Sequence, residues 1–177
     1  MGRISIVPLP GSGGVDLTRV ADLLGDVFHR PVGIAAPLAS IDFAFDASRD
    51  QYASRPVIAA LLAARAPGME RVLGITGLDL FVPVLTFVFG EAQLEGRVAL
   101  VSACRLANEF YGIPTDAERL QERIEKEAVH ELGHTYGLVH CQDGLCVMRS
   151  STYVEEIDLK DVALCAECAR RLAQVRV

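Results

Sequence analysis

The sequence predicts an α/β (α+β) fold in which a mixed sheet is covered by helices. Two observations predict it. Short apolar runs of strand length alternate with stretches whose apolar residues recur at helical spacing. Two of the later apolar runs are joined by the polar connection Gly90–Gly96, which reads as a hairpin and so adds an antiparallel pair. No repeat, low-complexity tract or linker interrupts the 177 residues, so 1–177 is expected to be one domain.

Arg3–Leu9 reads as the first strand and ends in the glycine-rich turn Pro10–Gly14. That turn carries neither phosphate-binding glycine pattern and is read as a plain strand-to-helix loop. Asp16–His29 puts Leu17, Val20, Ala21, Leu24 and Phe28 on one helical face, with His29 at the end as a partner for the helix dipole. Pro31–Leu38 is a second strand, and Ile41–Ser54 is polar and irregular, a long loop. Pro56–Ala66 is a helix, because proline suits a first turn and Ala and Leu follow. Arg71–Thr76, Phe81–Phe89 and Arg97–Cys104 are further strands, which places Cys104 as a buried, inert thiol.

Thr115 with Glu118 forms the S/T-x-x-E pattern in which each side chain satisfies a free N–H of the other, so a helix starts there. Leu120, Ile124, Ala128 and Leu132 follow in one stripe, and Gly137 is the stop, giving a long helix over about 116–136. A last helix covers Cys165–Val175, with Leu164, Cys168 and Leu172 on one side.

Composition narrows the function. Apolar residues make up 51% and charged residues 23%, with mean hydropathy +0.30, enough to build a core. Seventeen Lys+Arg against 23 Asp+Glu leave a net charge of −6, which disfavours nucleic acid and anionic membrane surfaces. The longest apolar run, Leu80–Gly90, is broken by Pro83 and is about half a membrane span. Neither a signal peptide nor a myristoylation pattern opens the chain, so a cytoplasmic protein is expected. In that reducing compartment clustered cysteines read as metal ligands.

Three of the four histidines fall in His130-Glu131-Leu132-Gly133-His134-Thr135-Tyr136-Gly137-Leu138-Val139-His140, an H-E-x-x-H-x-x-G-x-x-H string. Residues four apart share a helical face, so His130 and His134 point at one ion. Gly137 lets the chain turn back so that His140 supplies a third nitrogen. Three neutral imidazoles leave one coordination position for water, the arrangement of a catalytic zinc. Glu131, beside His130, is placed as general base.

The cysteines repeat the pattern. Cys141 and Cys146, then Cys165 and Cys168 after 18 intervening residues, match a closed four-thiolate zinc site. A reduced cluster or a redox C-x-x-C is the alternative, and neither uses Cys141 and Cys146. Because His140 and Cys141 are neighbours, the two ions should stand on the order of 8 to 13 Å apart. That is too far for a two-metal reaction centre. The cysteine ion would hold the loop that carries His140.

Met148 lies two residues after Cys146. The whole string, H-E-x-x-H-x-x-G-x-x-H-C-x₄-C-x-M followed by C-x-x-C, resembles the archaemetzincin family of the metzincin clan, with looser likeness at SRDQY (48–52) and FVFGEA (87–92). The resemblance implies a compact metzincin-like domain with a horizontal cleft, a twisted mixed sheet with an antiparallel edge strand, a long active-site helix and a C-terminal helix. It implies catalytic zinc on His130, His134 and His140, Glu131 as base, Met148 in the turn beneath the histidines, and structural zinc on Cys141, Cys146, Cys165 and Cys168. It also implies that Phe87–Glu91 is the edge strand along which a peptide lies, although an ordinary core strand would use the same residues.

The expected function is zinc-dependent hydrolysis of peptide bonds, with two Zn²⁺ per chain and a peptide or protein substrate. The alternative from another class is a zinc-stabilised regulatory or binding protein whose hydrolase site is restricted or cryptic; a hydrolase of non-peptide amides is a third. Tyr153 and Tyr136 are both within sequence reach of an oxyanion, each with a packing role as the alternative.

Overall fold

The computed structural model describes residues 2–175. In chain order the elements are β1 (Arg3–Pro8), α1 (Leu17–Phe28), β2 (Val32–Ile34), β3 (Phe45–Asp46), β4 (Gln51–Ala53), α2 (Ser54–Ala63), β5 (Met69–Thr76), β6 (Leu80–Phe81), β7 (Gly90–Ala92) and β8 (Val98–Ser102). The long helix α3 (Ala117–Thr135), then α4 (Val154–Leu159) and α5 (Ala166–Gln174) complete them.

The main sheet has the order β2-β1-β5-β8-β7. Its first four strands are parallel, with Ile4 opposite Val32, Ile6 opposite Leu73 and Ile75 opposite Val101. The edge strand β7 runs antiparallel to β8, Glu91 facing Leu100. Side chains alternate across a strand, so each strand of such a sheet feeds two cores. Ile4, Ile6, Leu73, Ile75, Ala99 and Val101 pack against Leu24 and Phe28 of α1 and Ile124, Ala128 and Leu132 of α3. Val72, Val98 and Leu100 face the other way, onto Val57, Ile58 and Leu61 of α2. The long helix therefore lies across the sheet beside β8 and its edge strand β7, and that placement sets the site.

The α/β architecture and the antiparallel edge strand agree with expectation; several boundaries do not. Phe81–Phe89 is no strand. After β6 the chain is irregular: Val88 bridges back to Leu80 of β6, and the Phe89 carbonyl accepts from the Ser102 N–H of β8 at 2.8 Å. Pro83 has no N–H for a ladder, and the apolar residues go separate ways: Phe89 is buried while Val84 is 88% exposed. The edge strand is accordingly only Gly90–Ala92, three residues that the sequence placed in the hairpin connection and that overlap the expected Phe87–Glu91 only in part. Ile41–Ser54 is more ordered than a loop. It contains β3 and β4, which pair antiparallel around a turn where Asp46 accepts from both the N–H and hydroxyl of Ser48.

Other elements shift by a residue or two. Helix α2 starts at Ser54 with Pro56 inside its first turn. Asp116, not Thr115, caps α3: its carboxylate accepts from the Arg119 N–H at 3.0 Å, so the Thr115–Glu118 exchange does not form. Cys104 sits past the end of β8 in a short 3₁₀ turn, half-buried. Burial pushes its thiol up, towards the unreactive neutral form. His29 closes α1 in the left-handed conformation, at the helix end where the sequence puts it. Leu164, Cys168 and Leu172 all pack on the larger core, as the last helix predicts.

Candidate metal centre and active-site cleft

Helix α3 buries the stripe Ile124, Ala128 and Leu132 against the sheet. The same rotation brings His130 and His134 out together over the edge strand β7. The helix then stops on Gly137, whose φ of +85° is left-handed. Leu138 N–H donates to the Gly133 carbonyl at 3.1 Å and Gly137 N–H to the His134 carbonyl at 2.9 Å. This paired ending satisfies the last carbonyls of the helix and reverses the chain. His140 thereby returns to within reach of the other two, its ring centroid 5.3 Å from that of His130 and 5.0 Å from that of His134.

The tautomers are fixed by the backbone. His130 Nδ1 lies 2.8 Å from the Val147 carbonyl and His134 Nδ1 lies 2.7 Å from the Leu138 carbonyl. A carbonyl only accepts, so both Nδ1 atoms carry the proton. Both Nε2 atoms are then bare, and they face each other at 3.1 Å. That contact is lone pair against lone pair, not a hydrogen bond, and only a cation makes it favourable. Two nitrogens on one tetrahedral zinc stand about 3.3 Å apart, given Zn–N bonds of about 2.0–2.1 Å. The residues fit the ion. One ring nitrogen of each of the three histidines lies within 4.8 Å of the others. Burial, then the Lys160 ammonium, pushes His130 down to about 3, and His134 and His140 are lowered as well, each mainly by burial. Neutral rings are the ligand-competent form.

Glu131 and His130 line a cleft of about 330 Å³ with His140, Phe87, Phe89 and the segment Ser150–Thr152. The Glu131 side chain rests on the backbone of β7 at Gly90. Its carboxyl is raised well above the usual carboxylate range, by burial first and then by the charge of Glu127, with Lys160 opposing. A dication at the histidines would draw it back towards the ionised form. His140 is the exposed member of the trio, so the cleft opens to solvent on that side.

The four sulfurs of Cys141, Cys146, Cys165 and Cys168 also lie within 4.8 Å of one another. Cys141 Sγ and Cys165 Sγ are 3.8 Å apart, far beyond a disulfide. That spacing equals the edge of a tetrahedron with Zn–S bonds of about 2.3 Å. Burial raises the Cys168 and Cys146 thiols, whereas the Cys168 N–H lowers Cys165. Cys141 N–H donates to the Met148 carbonyl at 3.0 Å, which ties this cluster to the turn beneath the histidines.

Residues 29–174 match the family model described as Peptidase family M54. The chain belongs to that family, the archaemetzincins. The archaemetzincin of Methanocaldococcus jannaschii is 39% identical over 174 residues, 96% of this chain and 92% of its own. The crystal structure of archaemetzincin from Methanopyrus kandleri superposes with a TM-score of 0.83 at 32% identity, covering 97% of this chain and 94% of that one. The archaemetzincin of Archaeoglobus fulgidus complexed with malonate gives 0.76 at 36% identity, covering 96% and 99%. The chain is thus a zinc metallopeptidase, a hydrolase.

The metalloprotease motif residues converge as the sequence places them, and Met148 is fully buried beneath them. A Cβ on Gly133 would lie 2.7 Å from Met148 Sδ, so the second variable position of H-E-x-x-H is shaped by the methionine. The two tyrosines do not join the archaemetzincin cleft. Tyr136 stacks on Phe28 with centroids 5.0 Å apart and has Arg71 over its ring. Tyr153 is 66% exposed at the start of α4, outside the cleft lining. Sequence reasoning missed Gly90, Glu127 and Lys160. The i, i+3 spacing from Glu127 to His130 on one helical face was available to find Glu127; nothing short-range announces the other two. Among the described residues no helix is long and apolar enough to cross a membrane.

Proposed function

We propose that the chain hydrolyses peptide bonds with a catalytic zinc held by His130, His134 and His140 and with Glu131 as general base. The meeting of two bare Nε2 atoms at 3.1 Å, beside the cleft that Glu131 lines, is the observation that carries the reading. Bound zinc would supply Lewis acidity to the scissile carbonyl and lower the pKa of a water towards about 7. Glu131 takes the proton from the attacking water and returns it to the leaving nitrogen. Its buried position suits a group that must hold a proton between two steps. The three-residue strand β7, last in its sheet, is the edge along which an extended peptide would add as a further strand.

A second, structural zinc sits on Cys141, Cys146, Cys165 and Cys168 and fixes the loop carrying His140. Gly137 supplies the turn, Met148 the floor, and one domain over 1–177 carries both ions. Four cysteines clustered as metal ligands rather than paired as disulfides suit a reducing compartment such as the cytoplasm.

The test is Glu131→Gln, with zinc content and digestion of a mixed peptide library read on the same sample. Two zincs per chain with turnover lowered by about 10²–10⁴-fold are expected. Cleavage at the parental rate overturns the role of Glu131. A zinc-loaded parent that cuts nothing at several pH values favours the regulatory or binding protein instead.

A further inference from the structure

Lys160 closes α4 and reaches back under the cleft, its side chain 1% exposed. An ammonium has three N–H donors, and all three are placed. Nζ lies 3.2 Å from Glu127 Oε1, 3.3 Å from the Val147 carbonyl and 3.1 Å from the Arg149 carbonyl. Glu127, 5% exposed at its side chain, stands three residues before His130 on α3. The two carbonyls flank Met148. One of them, Val147 O, is the atom that accepts from His130 Nδ1 at 2.8 Å.

Fold stability alone does not account for this pair. Buried ion pairs are about neutral, or even costly, compared with apolar residues of the same volume. The attachment of α3 to α4 is already made elsewhere: Arg123 binds the Asp158 carboxylate with two bonds of 2.7 Å, and Lys126 Nζ reaches the Ile157 carbonyl at 3.1 Å. What Lys160 adds is a grip on the backbone either side of Met148. A ligating histidine depends on the partner of its other ring nitrogen for tautomer and aim.

Resting on the zinc-hydrolase reading above, we propose that Lys160, anchored by Glu127, is the positioning residue that aims His130 at the metal by fixing the Val147 carbonyl. Lys160 and Glu127 stand in the wall of the cleft, but all three ammonium donors are already engaged by Glu127 and the two carbonyls, so the role is one of positioning.

The experiment replaces the pair by neutral residues of similar length, Glu127→Gln with Lys160→Met, so that no charge is left buried alone. Zinc affinity at the histidine site is measured by chelator competition, with zinc at the cysteine site as the internal reference for folding. A 10–100-fold loss at the histidines, the cysteine zinc unchanged, and an altered visible spectrum of Co²⁺ at the histidine site are expected. Unchanged affinity and spectrum overturn the proposal. Because the double variant could fail to fold, a second measurement uses the parent protein freed of histidine-site metal. There ¹⁵N spectra should show His130 wholly as the Nδ1–H tautomer and a slowly exchanging Lys160 ammonium. A tautomer mixture with a freely exchanging ammonium overturns it. A parent that binds no zinc at the histidines or cleaves no peptide sinks the hydrolase reading instead, and the metal-free measurement keeps the two failures apart.

Discussion

Gly90 and Glu131 meet so closely that a β-carbon at position 90 would stand 2.6 Å from Glu131 Cγ and 2.8 Å from Oε1. The edge strand is therefore a wall for the carboxylate as well as a rail beside the cleft. The missing side chain is what lets Glu131 lie flat against β7. The same β-carbon would come 2.7 Å from the Leu100 carbonyl, a backbone atom that cannot step aside cheaply.

Gly90→Ala should therefore shift the Glu131 carboxylate, and β7 where it meets the Leu100 carbonyl, by a fraction of an ångström to an ångström, while the histidines keep their ion. Misplacement of that size costs on the order of 100-fold in rate. Steady-state kinetics with zinc analysis should show kcat down by that factor and both ions retained. Parental kcat in a folded Gly90→Ala protein would mean that the contact does not matter.

The buried histidines make the metal-free protein sensitive to acid. Folded His130 stays neutral down to about 3, whereas an unfolded histidine takes its proton near 6.5. Between those values unfolding binds a proton, so this residue's contribution to stability falls as pH falls. His134 and His140 act in the same direction. Glu127 and Glu131, both raised, act in the opposite one, favouring the fold at low pH. The comparison is accordingly between the parent and His130→Asn, which share those carboxylates. After chelation, the urea midpoint of the parent should drop more than that of His130→Asn as pH is lowered from about 6.5 towards about 4. Parallel profiles would contradict the buried neutral ring.

Cys146 is 2% exposed and its Sγ accepts from the Cys165 N–H at 3.4 Å, at the centre of the thiolate cluster. Cys146→Ala should lower the metal content from two zincs per chain to one. Because Cys141 adjoins His140, affinity at the histidine site should fall as well, by about 10–100-fold. Elemental analysis of the purified variant, before and after limited chelation, reads both effects. Two zincs per chain in that variant would refute the assignment of the cluster.

What the chain showed in advance follows the range of the forces involved. The histidine and cysteine ligands were legible because helical spacing and a single glycine stop are local rules that need no tertiary context. The apolar runs Arg71–Thr76 and Arg97–Cys104 announced strands, but their burial on both faces, with Leu73, Ile75, Ala99 and Val101 in one core and Val72, Val98 and Leu100 in the other, is visible only in the fold. The run from Phe81 to Phe89 misled because hydrophobicity there serves several unconnected contacts, and Pro83 keeps it out of a ladder. Gly90 and Lys160 were illegible for another reason. Their importance lies in what stands across from them, a carboxylate 41 positions later in one case and a carbonyl 13 positions earlier in the other. No short window of sequence contains such a pairing.

The thiolate cluster also imposes an order on biosynthesis. The ribosome completes the histidine motif before it supplies Cys165 and Cys168, 25 and 28 residues further on than His140. At about 5–20 residues per second, that is a delay of a few seconds. During this interval the nascent polypeptide has its three imidazoles but lacks half of the sulfur anchor for the arm bearing the third.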